Sequence, residues 1–361
     1  MSAINVPGTP EQTLGINLYN PLYLPNWRVA AGTARTTSTR PLVICLGDST
    51  TAGLWGNGAA TGNQTPYTYP TQLGQLLTSA GIPCQTQSFS GFGQPSWDSR
   101  ITTASWASSP YTTVGGPFLY ATSSGAGTFK FLPTTTVDTF VIYWFGGSGN
   151  GTFNYAINNG STTGVSTNTS GYTYTTTVST TLGTNTLDIT WASGGYVYLC
   201  GVRAYNSTIP GVDIMQAGWS GSTSSWWQTS PLANYSVYGP ALTILNLGIN
   251  DWNTAVGVST FTTNMQALIT QIKASANGDL ILCTPNPTQV AGTVPLATQK
   301  GYVNALYTLA SSNGLPLIDL FNGRFVTWEL ASSYGLMGDI YHPKGCGYSD
   351  IALALSKVLT V

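Results

Sequence analysis

The chain has 361 residues, a formal net charge of -1 and charged side chains at only 6% of its positions, against about 25% in an average soluble protein. So few charges leave no electrostatic footprint for nucleic acid, and no apolar run approaches the ~20 residues that span a bilayer, so we expect neither nucleic-acid binding nor membrane insertion. The first residues lack the charged and apolar regions of a signal peptide, but the 42 glycines and the many uncharged polar residues favour an extracellular or virion-associated site of action, such as a phage tail.

The N-terminal 40 residues carry four prolines and several aromatic side chains, yet they hold neither a helical nor a strand period for long. We therefore interpret residues 1–40 as an N-terminal arm that packs across the surface. This composition does not indicate whether the arm attaches the chain to a larger assembly.

Residues 41–100 predict the first strand and helix of an α/β domain. The apolar run 43–46 is followed at once by Gly-Asp-Ser-Thr at 47–50, which predicts a buried strand ending in an exposed serine. After a glycine-rich loop, helical spacing begins at Tyr69, with a proline in the first turn, and ends at Gly81. A strand followed by a helix is typical of a parallel βαβ unit.

The helical pattern disappears between residues 101 and 208. Short runs rich in Tyr, Thr and Phe recur there between clusters of Gly, Asn and Ser. This spacing of strands and turns predicts an inserted antiparallel β-sandwich. The insert has few charges, and we expect it either to bind carbohydrate near the active site or to act as a spacer or oligomer contact.

Alternating strands and helices resume in residues 209–361, the second part of the α/β domain. The predicted strands are 211–216, 242–247, 280–284 and 315–319, and the predicted helices lie near 222–235, 259–276, 295–313 and 345–359. Together with the strand at 43–46, these elements predict a flavodoxin-like, three-layer α/β fold with a five-stranded parallel sheet.

The five cysteines are far apart in the sequence and show no Cys-x-x-Cys spacing. They are Cys45, Cys84, Cys200, Cys283 and Cys346. We therefore expect neither a metal site nor a disulfide framework, and nothing else in the chain indicates a cofactor.

Residues with catalytic chemistry cluster in four blocks that follow predicted strands or lie near the C-terminus. The blocks are Gly-Asp-Ser-Thr at 47–50, Gln-Ala-Gly-Trp-Ser-Gly-Ser-Thr at 216–223, Leu-Gly-Ile-Asn-Asp at 247–251 and Asp-Ile-Tyr-His-Pro at 339–343. Each block alone is also typical of a turn. A serine nucleophile, however, needs an imidazole base held by a carboxylate, and His342, the only histidine, follows Asp339 by three residues.

In their order and residue types, these blocks resemble those of the SGNH (GDSL) hydrolase family. The resemblance implies a metal-independent esterase in which Ser49 is the nucleophile, His342 the general base and Asp339 the residue that orients the imidazole. It also implies an oxyanion hole made by the backbone N–H groups of Ser49 and Gly221 and by the side-chain amide of Asn250. Such donors stabilise the charge that develops on the carbonyl oxygen.

A second stretch competes for the role of the second block. Ser-Phe-Ser-Gly-Phe-Gly at 88–93 directly follows the first helix, so Gly93 is an alternative oxyanion donor. We prefer Gly221 because its distance from Asn250 fits one helix and one strand, whereas the whole insert separates Gly93 from Asn250. The stretch 88–93 would then be a strand leading into the insert or a wall of the cleft.

Aromatic side chains next to the blocks are candidate substrate contacts, because their neighbours are expected to face the crevice. They are Trp55, Trp219, Trp252 and Tyr341. Aromatic faces suit both sugar rings and acyl groups. For Trp226 and Trp227 we favour packing in the core.

These features predict a serine esterase that removes short acyl groups, foremost acetyl, from a polysaccharide or other glycan through an acyl-enzyme. A β-sandwich within an SGNH domain is similar to the arrangement in some polysaccharide and peptidoglycan O-acetylesterases and phage-associated esterases. One alternative is a general esterase or lipase for small or lipid esters. Another is an inactive glycan-binding or virion attachment protein. The oligomeric state is left open.

Overall fold

The computed structural model describes residues 16–17, 24–37, 39–93, 95–229, 234–275, 277–291 and 294–360. Its α-helices are α1 (Pro25–Thr33), α2 (Ser49–Ala52), α3 (Tyr69–Ser79), α4 (Ser224–Thr229), α5 (Ile249–Asn253), α6 (Val258–Ser275), α7 (Leu296–Asn313), α8 (Trp328–Ser333) and α9 (Gly345–Leu359). Short 3-10 turns cover Thr65–Tyr67, Pro95–Trp97, Ser124–Ala126 and Tyr235–Tyr238, and a π-helical turn covers Phe321–Phe325.

The strands form two separate sheets. They are β1 (Ile16–Asn17), β2 (Leu42–Gly47), β3 (Cys84–Ser90), β4 (Ile101–Thr102), β5 (Ala107–Thr113), β6 (Gly116–Ala121), β7 (Thr128–Phe131), β8 (Val137–Phe145), β9 (Thr152–Ile157), β10 (Thr163–Ser166), β11 (Thr173–Gly183), β12 (Leu187–Ser193), β13 (Val197–Tyr205), β14 (Val212–Gly218), β15 (Leu242–Asn246), β16 (Asp279–Cys283) and β17 (Leu317–Ile318). Within the described ranges, the large sheet has twelve strands and the small one, in the order β10-β9-β12-β7-β4, has five.

The parallel part of the large sheet has the order β17-β16-β15-β2-β14-β3. Five of these strands match the predicted ones, and β3 adds a sixth. The prediction did not include β3 because most residues of this strand are polar, so it lacks the apolar run that marks a buried strand. The stretch 88–93 thus includes the end of a strand that leads into the insert.

Helices cover both faces of the parallel strands, which gives the predicted three layers. On one face α6 and α7 pack into a core with Leu245, Leu282 and Leu306. On the other face α1, α3 and α9 pack into a second core that contains Trp27 and Leu355. The strands β2, β15 and β16 are buried along their whole length, as expected for parallel strands covered on both sides.

The insert forms the predicted antiparallel sandwich, but it shares a sheet with the α/β domain. The strands β13, β8, β6, β5 and β11 continue the large sheet because β13 pairs antiparallel with β3. The five-stranded sheet packs on this extension over a third core, which includes Phe129 and Phe153 from the small sheet and Phe140 and Leu199 from the large one. The β-structure is therefore continuous across the predicted boundary near residue 100.

The predicted N-terminal arm lies mostly outside the described residues. Its described part includes α1, which is tied to the α/β domain: the Trp27 backbone N–H donates to Asp279 Oδ2 at 2.7 Å, and the indole N–H donates to the Leu359 carbonyl at 3.0 Å. Within the described parts of the chain, no helix is both long enough and apolar enough to cross a membrane.

Candidate active site

The candidate site lies where three adjacent parallel strands end. β2 pairs with β14 on one side and with β15 on the other, and Gly47 lies opposite both Gly218 and Asn246. The loops that follow these strands therefore begin side by side. They carry Ser49, Gly221 and Asn250, three of the residues that the sequence predicts for the site.

A tight turn after β2 presents Ser49. The Asp48 carboxylate accepts the Thr50 backbone N–H at 2.9 Å and so caps the short helix α2, which begins at Ser49. The helix ends at Ala52, and Gly53 follows in the left-handed conformation. Gly47 must be small, because a Cβ there would be 2.5 Å from the Asn246 carbonyl oxygen. The turn therefore fixes the serine at the first position of a helix, directly after a buried strand.

The structure brings Ser49, His342 and Asp339 into one hydrogen-bonded series. Ser49 Oγ lies 2.8 Å from His342 Nε2, and His342 Nδ1 lies 2.9 Å from Asp339 Oδ2 and 3.0 Å from Oδ1. Ser49 is 3% exposed and His342 8% exposed. With the proton of the neutral imidazole on Nδ1, Nε2 is free to accept the serine proton.

The Asp339 carboxylate is held by backbone donors as well as by the imidazole. Its Oδ1 accepts the N–H groups of Tyr341 at 2.7 Å and His342 at 2.6 Å. Burial by itself would raise the pKa of Asp339, but the hydrogen bond and the charge interaction with His342 outweigh it and lower the pKa. The carboxylate therefore stays ionised, as an orienting partner for an imidazolium must. The Trp328 indole N–H fixes the same loop by donating to the Asp339 carbonyl at 2.9 Å.

The loop after β14 lies against the serine turn. The Trp219 backbone N–H donates to the Gly47 carbonyl at 2.9 Å, and a Cβ on Gly218 would overlap the backbone of Ala52. Gly221 follows with φ +79°, a conformation that favours glycine, and a Cβ at this position would point into open space. In contrast, a Cβ on Gly93 would overlap the indole ring of Trp219, so Gly93 packs against a side chain of this loop.

The Asn250 side chain joins the same group. Its Nδ2 donates one hydrogen bond to the Ser222 carbonyl at 2.9 Å, and the second amide hydrogen is left for another acceptor. Within the described residues, neither the Ser49 nor the Gly221 backbone N–H donates to a protein acceptor. These three donors have the chemistry that the predicted oxyanion hole requires.

Asp251 is a buried residue of this region to which the sequence analysis gave no role. Its carboxylate accepts the Ser224 backbone N–H at 3.0 and 3.1 Å and the Ser224 hydroxyl at 2.6 Å, and Asn264 Nδ2 donates to that hydroxyl at 3.1 Å. Burial raises the pKa of Asp251. The carboxylate ties the loop that carries Gly221 to the helix that carries Asn250.

Asp48 is also fully buried, and its Oδ2 has no hydrogen-bond partner among the described residues. Burial raises the pKa of Asp48 to about 6, although the hydrogen bond from Thr50 opposes this. The capping bond from Thr50 shows that Asp48 shapes the turn.

The predicted aromatic contacts divide into two groups. Trp55, Trp219 and Tyr341 are partly exposed, and a Cβ on Gly338 would be 2.6 Å from the Trp55 Cβ. Trp252 was expected to face the crevice, but it does not. It is 2% exposed and packs in the core against Tyr302 and Phe321.

The two tryptophans of α4 also differ. Trp227 is buried in the core, as expected, and its indole N–H donates to Ser222 Oγ at 3.0 Å. Trp226 is 46% exposed and meets Trp219 edge to face, with ring centroids 4.2 Å apart. The expectation of core packing for Trp226 was therefore wrong.

No group of three or more metal-ligating side chains occurs in the described part of the chain. All five cysteines are free, and burial raises the pKa of the Cys45 and Cys283 thiols, which keeps them protonated inside the sheet.

Comparison with family models identifies the class. The model of the GDSL-like Lipase/Acylhydrolase family matches residues 162–349, just over half of the chain. The chain belongs to this family, whose members are also called SGNH hydrolases. The matched region contains Gly221, Asn250, Asp339 and His342, whereas Ser49 lies upstream of the insert. No curated protein matches the sequence.

A solved structure is similar to the chain in fold over nearly the whole length of both chains. A structure titled "Peptidoglycan O-acetylesterase in action" matches with a TM-score of 0.69 at 14% identity, covering 95% of this chain and 97% of that one. A lipase/acylhydrolase from Enterococcus faecalis has a TM-score of 0.37 at 21% identity and covers 42% of this chain and 76% of its own. A family two carbohydrate esterase from Clostridium thermocellum, solved with cellohexaose, has a TM-score of 0.32 at 14% identity and covers 71% and 97%. The first match spans both the α/β domain and the insert.

Proposed function

We propose that this protein is a serine esterase that removes short acyl groups, foremost acetyl, from a polysaccharide or other glycan through an acyl-enzyme. The observation that carries the proposal is the series Ser49, His342 and Asp339, with adjacent atoms 2.8 and 2.9 Å apart. Family membership supplies the class of reaction, acyl hydrolysis.

In the first half-reaction, Ser49 Oγ attacks the acyl carbon while its proton moves to His342 Nε2. The carbonyl electron pair moves onto oxygen, and the N–H groups of Ser49 and Gly221 and the Asn250 amide stabilise the resulting charge. Collapse of this intermediate breaks the bond to the sugar oxygen, which takes the proton from His342. The acyl group is then bonded to Ser49.

In the second half-reaction, His342 removes a proton from water as the water oxygen attacks the acyl carbon. The bond to Ser49 Oγ breaks, the serine recovers its proton from the imidazolium, and the carboxylic acid leaves. Asp339 remains ionised through both steps and stabilises the imidazolium, in agreement with its lowered pKa.

Three features support a glycan ester as the substrate. The whole-length fold likeness is to a peptidoglycan O-acetylesterase. The second is the aromatic pair Trp219 and Trp226 beside the loop that carries Gly221, because aromatic faces suit sugar rings. The third is the insert, residues 101–208, which has few charges and which we propose as a module that brings the polymer to Ser49. The low charge and polar composition of the whole chain support an extracellular or virion-associated site of action.

The test compares two kinds of product. Acetate release from acetylated xylan and from O-acetylated peptidoglycan is measured beside fatty-acid release from 4-nitrophenyl palmitate, with Ser49→Ala and His342→Ala as inactive controls. We expect rapid acetate release from at least one polymer and little fatty-acid release. Fatty-acid release that exceeds acetate release from both polymers would indicate a general esterase or lipase. Binding of a polymer with no hydrolysis of any ester would indicate an inactive attachment protein.

A further inference from the structure

The outer face of the antiparallel extension of the large sheet carries a cluster of rings that the proposed reaction does not use. The inner face of this extension packs on the small sheet. We call the cluster on the opposite face the aromatic strip, and its members are Tyr111, Phe118, Tyr120, Phe145, Tyr196 and Tyr198.

Tyr198 on β13 is the centre of the aromatic strip. It lies directly opposite Tyr120 on β6 and Phe145 on β8, and residues that are directly opposite share a face of the sheet. Its ring centroid is 6.0 Å from that of Tyr120, 6.3 Å from that of Phe145 and 5.7 Å from that of Tyr196, which stacks on it with an interplanar angle of 12°. Neighbouring rings thus hold the tyrosines in one arrangement, and little side-chain freedom remains to be lost on binding.

The aromatic strip is open to solvent except at Phe118, which is buried. Tyr111 is 65% exposed and Tyr196 is 49% exposed, while Tyr120, Phe145 and Tyr198 are partly exposed. Phe118, Phe145 and Tyr198 pack in or against the core of the α/β domain. Core packing does not explain Tyr111, Tyr120 and Tyr196, which belong to no core cluster of the described residues. Contiguous exposed aromatic surface with a polar surrounding is typical of a binding site.

The chemistry of the aromatic strip selects an uncharged partner. The segments 101–129, 139–187 and 189–202, which contain every ring of the strip, have no Asp, Glu, Lys or Arg. Nucleic acids and anionic lipid surfaces are therefore poor partners, because both are held by cationic side chains. Tyrosine rings combine an apolar face with a hydrogen-bonding hydroxyl, and a sugar unit likewise combines apolar C–H faces with hydroxyl groups.

The aromatic strip leads towards the candidate active site. Gly116, Phe118 and Tyr120 alternate along β6 and therefore lie on one face. A Cβ on Gly116 would be 3.1 Å from Cγ of Trp219, and Trp219 is two residues before Gly221. At about 3.3 Å per strand residue, Tyr120 lies about 13 Å along β6 from Gly116.

We propose that the aromatic strip binds an uncharged glycan chain and directs it past Trp219 to Ser49. This inference rests on the proposed function, since it assigns the strip to the polymer whose ester Ser49 hydrolyses. A second copy of this chain is the competing occupant. Continuity with the candidate site favours the glycan, because the row of rings ends at the loop that carries a predicted oxyanion donor.

Binding is measured with the full-length Ser49→Ala chain, so that no acyl group is removed. The probes are insoluble cellulose, chitin and acetylated xylan, and bound protein is measured by co-sedimentation. We expect binding to at least one of them, at least fivefold weaker binding when Tyr111→Ala and Tyr196→Ala are added, and unchanged binding with Tyr334→Ala, which alters a tyrosine that is 73% exposed outside the strip. Tyr196→Phe is expected to keep binding because it keeps the ring. Binding to none of the polymers, or equal binding of the double variant, would overturn the proposal.

The two tyrosine changes are also made in the active chain to separate this inference from the proposed function. Hydrolysis of 4-nitrophenyl acetate and the thermal midpoint are expected to be unchanged, whereas kcat/KM on the deacetylated polymer falls at least fivefold. If no polymer is deacetylated but the tyrosine changes still weaken co-sedimentation with a polymer, the proposed function fails and the strip remains a glycan site. If the changes alter the sedimentation coefficient of the free protein and not polymer binding, the strip is an interface between copies, and the proposal is wrong.

Discussion

The Ser49 hydroxyl oxygen lies 2.8 Å from Nε2 of His342, although the two residues are 293 positions apart in the chain. The serine is fixed by a capped turn after β2. The histidine is fixed by a loop whose Gly338 N–H donates to the His342 carbonyl at 2.7 Å and whose Asp339 side chain accepts the His342 backbone N–H. Two rigid loops, and not a flexible contact, hold the nucleophile and the base together.

Asp339→Asn is expected to lower kcat for 4-nitrophenyl acetate by about 10³–10⁴-fold, because an amide neither stabilises the imidazolium nor holds the productive tautomer. Kinetic constants at pH 7 check this, and circular dichroism confirms the fold. A loss of less than tenfold would show that another group orients His342. Asp350→Asn serves as the control and should keep activity. Asp350 lies on α9 and forms an ion pair with Arg324.

Asn250→Ala is expected to lower kcat by about 10²–10³-fold, the typical effect of removing one oxyanion donor, with a smaller effect on KM. Initial rates over a range of 4-nitrophenyl acetate concentrations separate the two constants. Asn253→Ala, in the same short helix, is the matched control. If KM rises while kcat is unchanged, Asn250 binds the substrate and does not stabilise the transition state.

Asp251→Ala is expected to destabilise the protein by about 1–3 kcal/mol, because it leaves the buried N–H and hydroxyl of Ser224 without their acceptor. We also expect kcat to fall at least tenfold, since the loop of Gly221 and the helix of Asn250 lose their connection. Urea denaturation and kinetics are measured together. Asp251→Asn keeps one acceptor oxygen and should recover part of both losses; equal kcat in all three proteins would exclude a positioning role.

Asp48→Asn tests the buried carboxyl through the pH dependence of stability. Burial raises the Asp48 pKa from 3.8 to about 6, so the native carboxyl binds its proton more tightly than the unfolded one. Its contribution to stability is present below about pH 4 and is lost as pH rises through about 6. The uncharged variant lacks this loss, so its stability relative to the wild type should improve by about 2–3 kcal/mol between pH 4 and pH 7 in urea denaturation.

Asp138→Asn is the control of opposite sign for that experiment. Burial would raise the Asp138 pKa, but hydrogen bonds, foremost from Ser207, lower it below its usual value. The contribution of Asp138 to stability is therefore present above the unfolded pKa and lost in acid. The free energy of unfolding of Asp138→Asn should therefore fall relative to that of the wild type as pH rises. A change of the same sign in both variants would contradict the assignment for Asp48.

Much of the candidate site is predictable from sequence because its residues follow apolar runs that mark buried strands. Ser49 follows β2, Gly221 follows β14 and Asn250 follows β15, and parallel strands bring these ends together. His342 is identifiable because it is the only histidine and has a carboxylate three residues before it.

The position of Trp252 is not predictable in the same way. It is two residues from Asn250 in a helix of five residues, and residues two apart on a helix do not share a face. Asn250 therefore faces the site, whereas the ring of Trp252 enters the core. The role of Asp251 depends on burial and on a partner 27 residues away, which no local pattern indicates.

The continuity of the insert with the α/β sheet also depends on long-range pairing. β3 and β13 are separated by more than a hundred residues and pair through only three aligned positions. Local periodicity correctly predicts antiparallel strands in the insert. It does not indicate that one of its sheets extends the parallel sheet, or that Tyr120 and Tyr198 lie directly opposite each other.

The central claim is that Ser49 is the activated nucleophile. Labelling with a fluorophosphonate, followed by mass spectrometry of the digested protein, tests it most directly, because such reagents form a covalent bond with a serine that an adjacent base activates. We predict one adduct, on the peptide that contains Ser49, with labelling abolished in Ser49→Ala and strongly slowed in His342→Ala. An adduct on another residue, or labelling and ester hydrolysis that persist in Ser49→Ala, would contradict the claim.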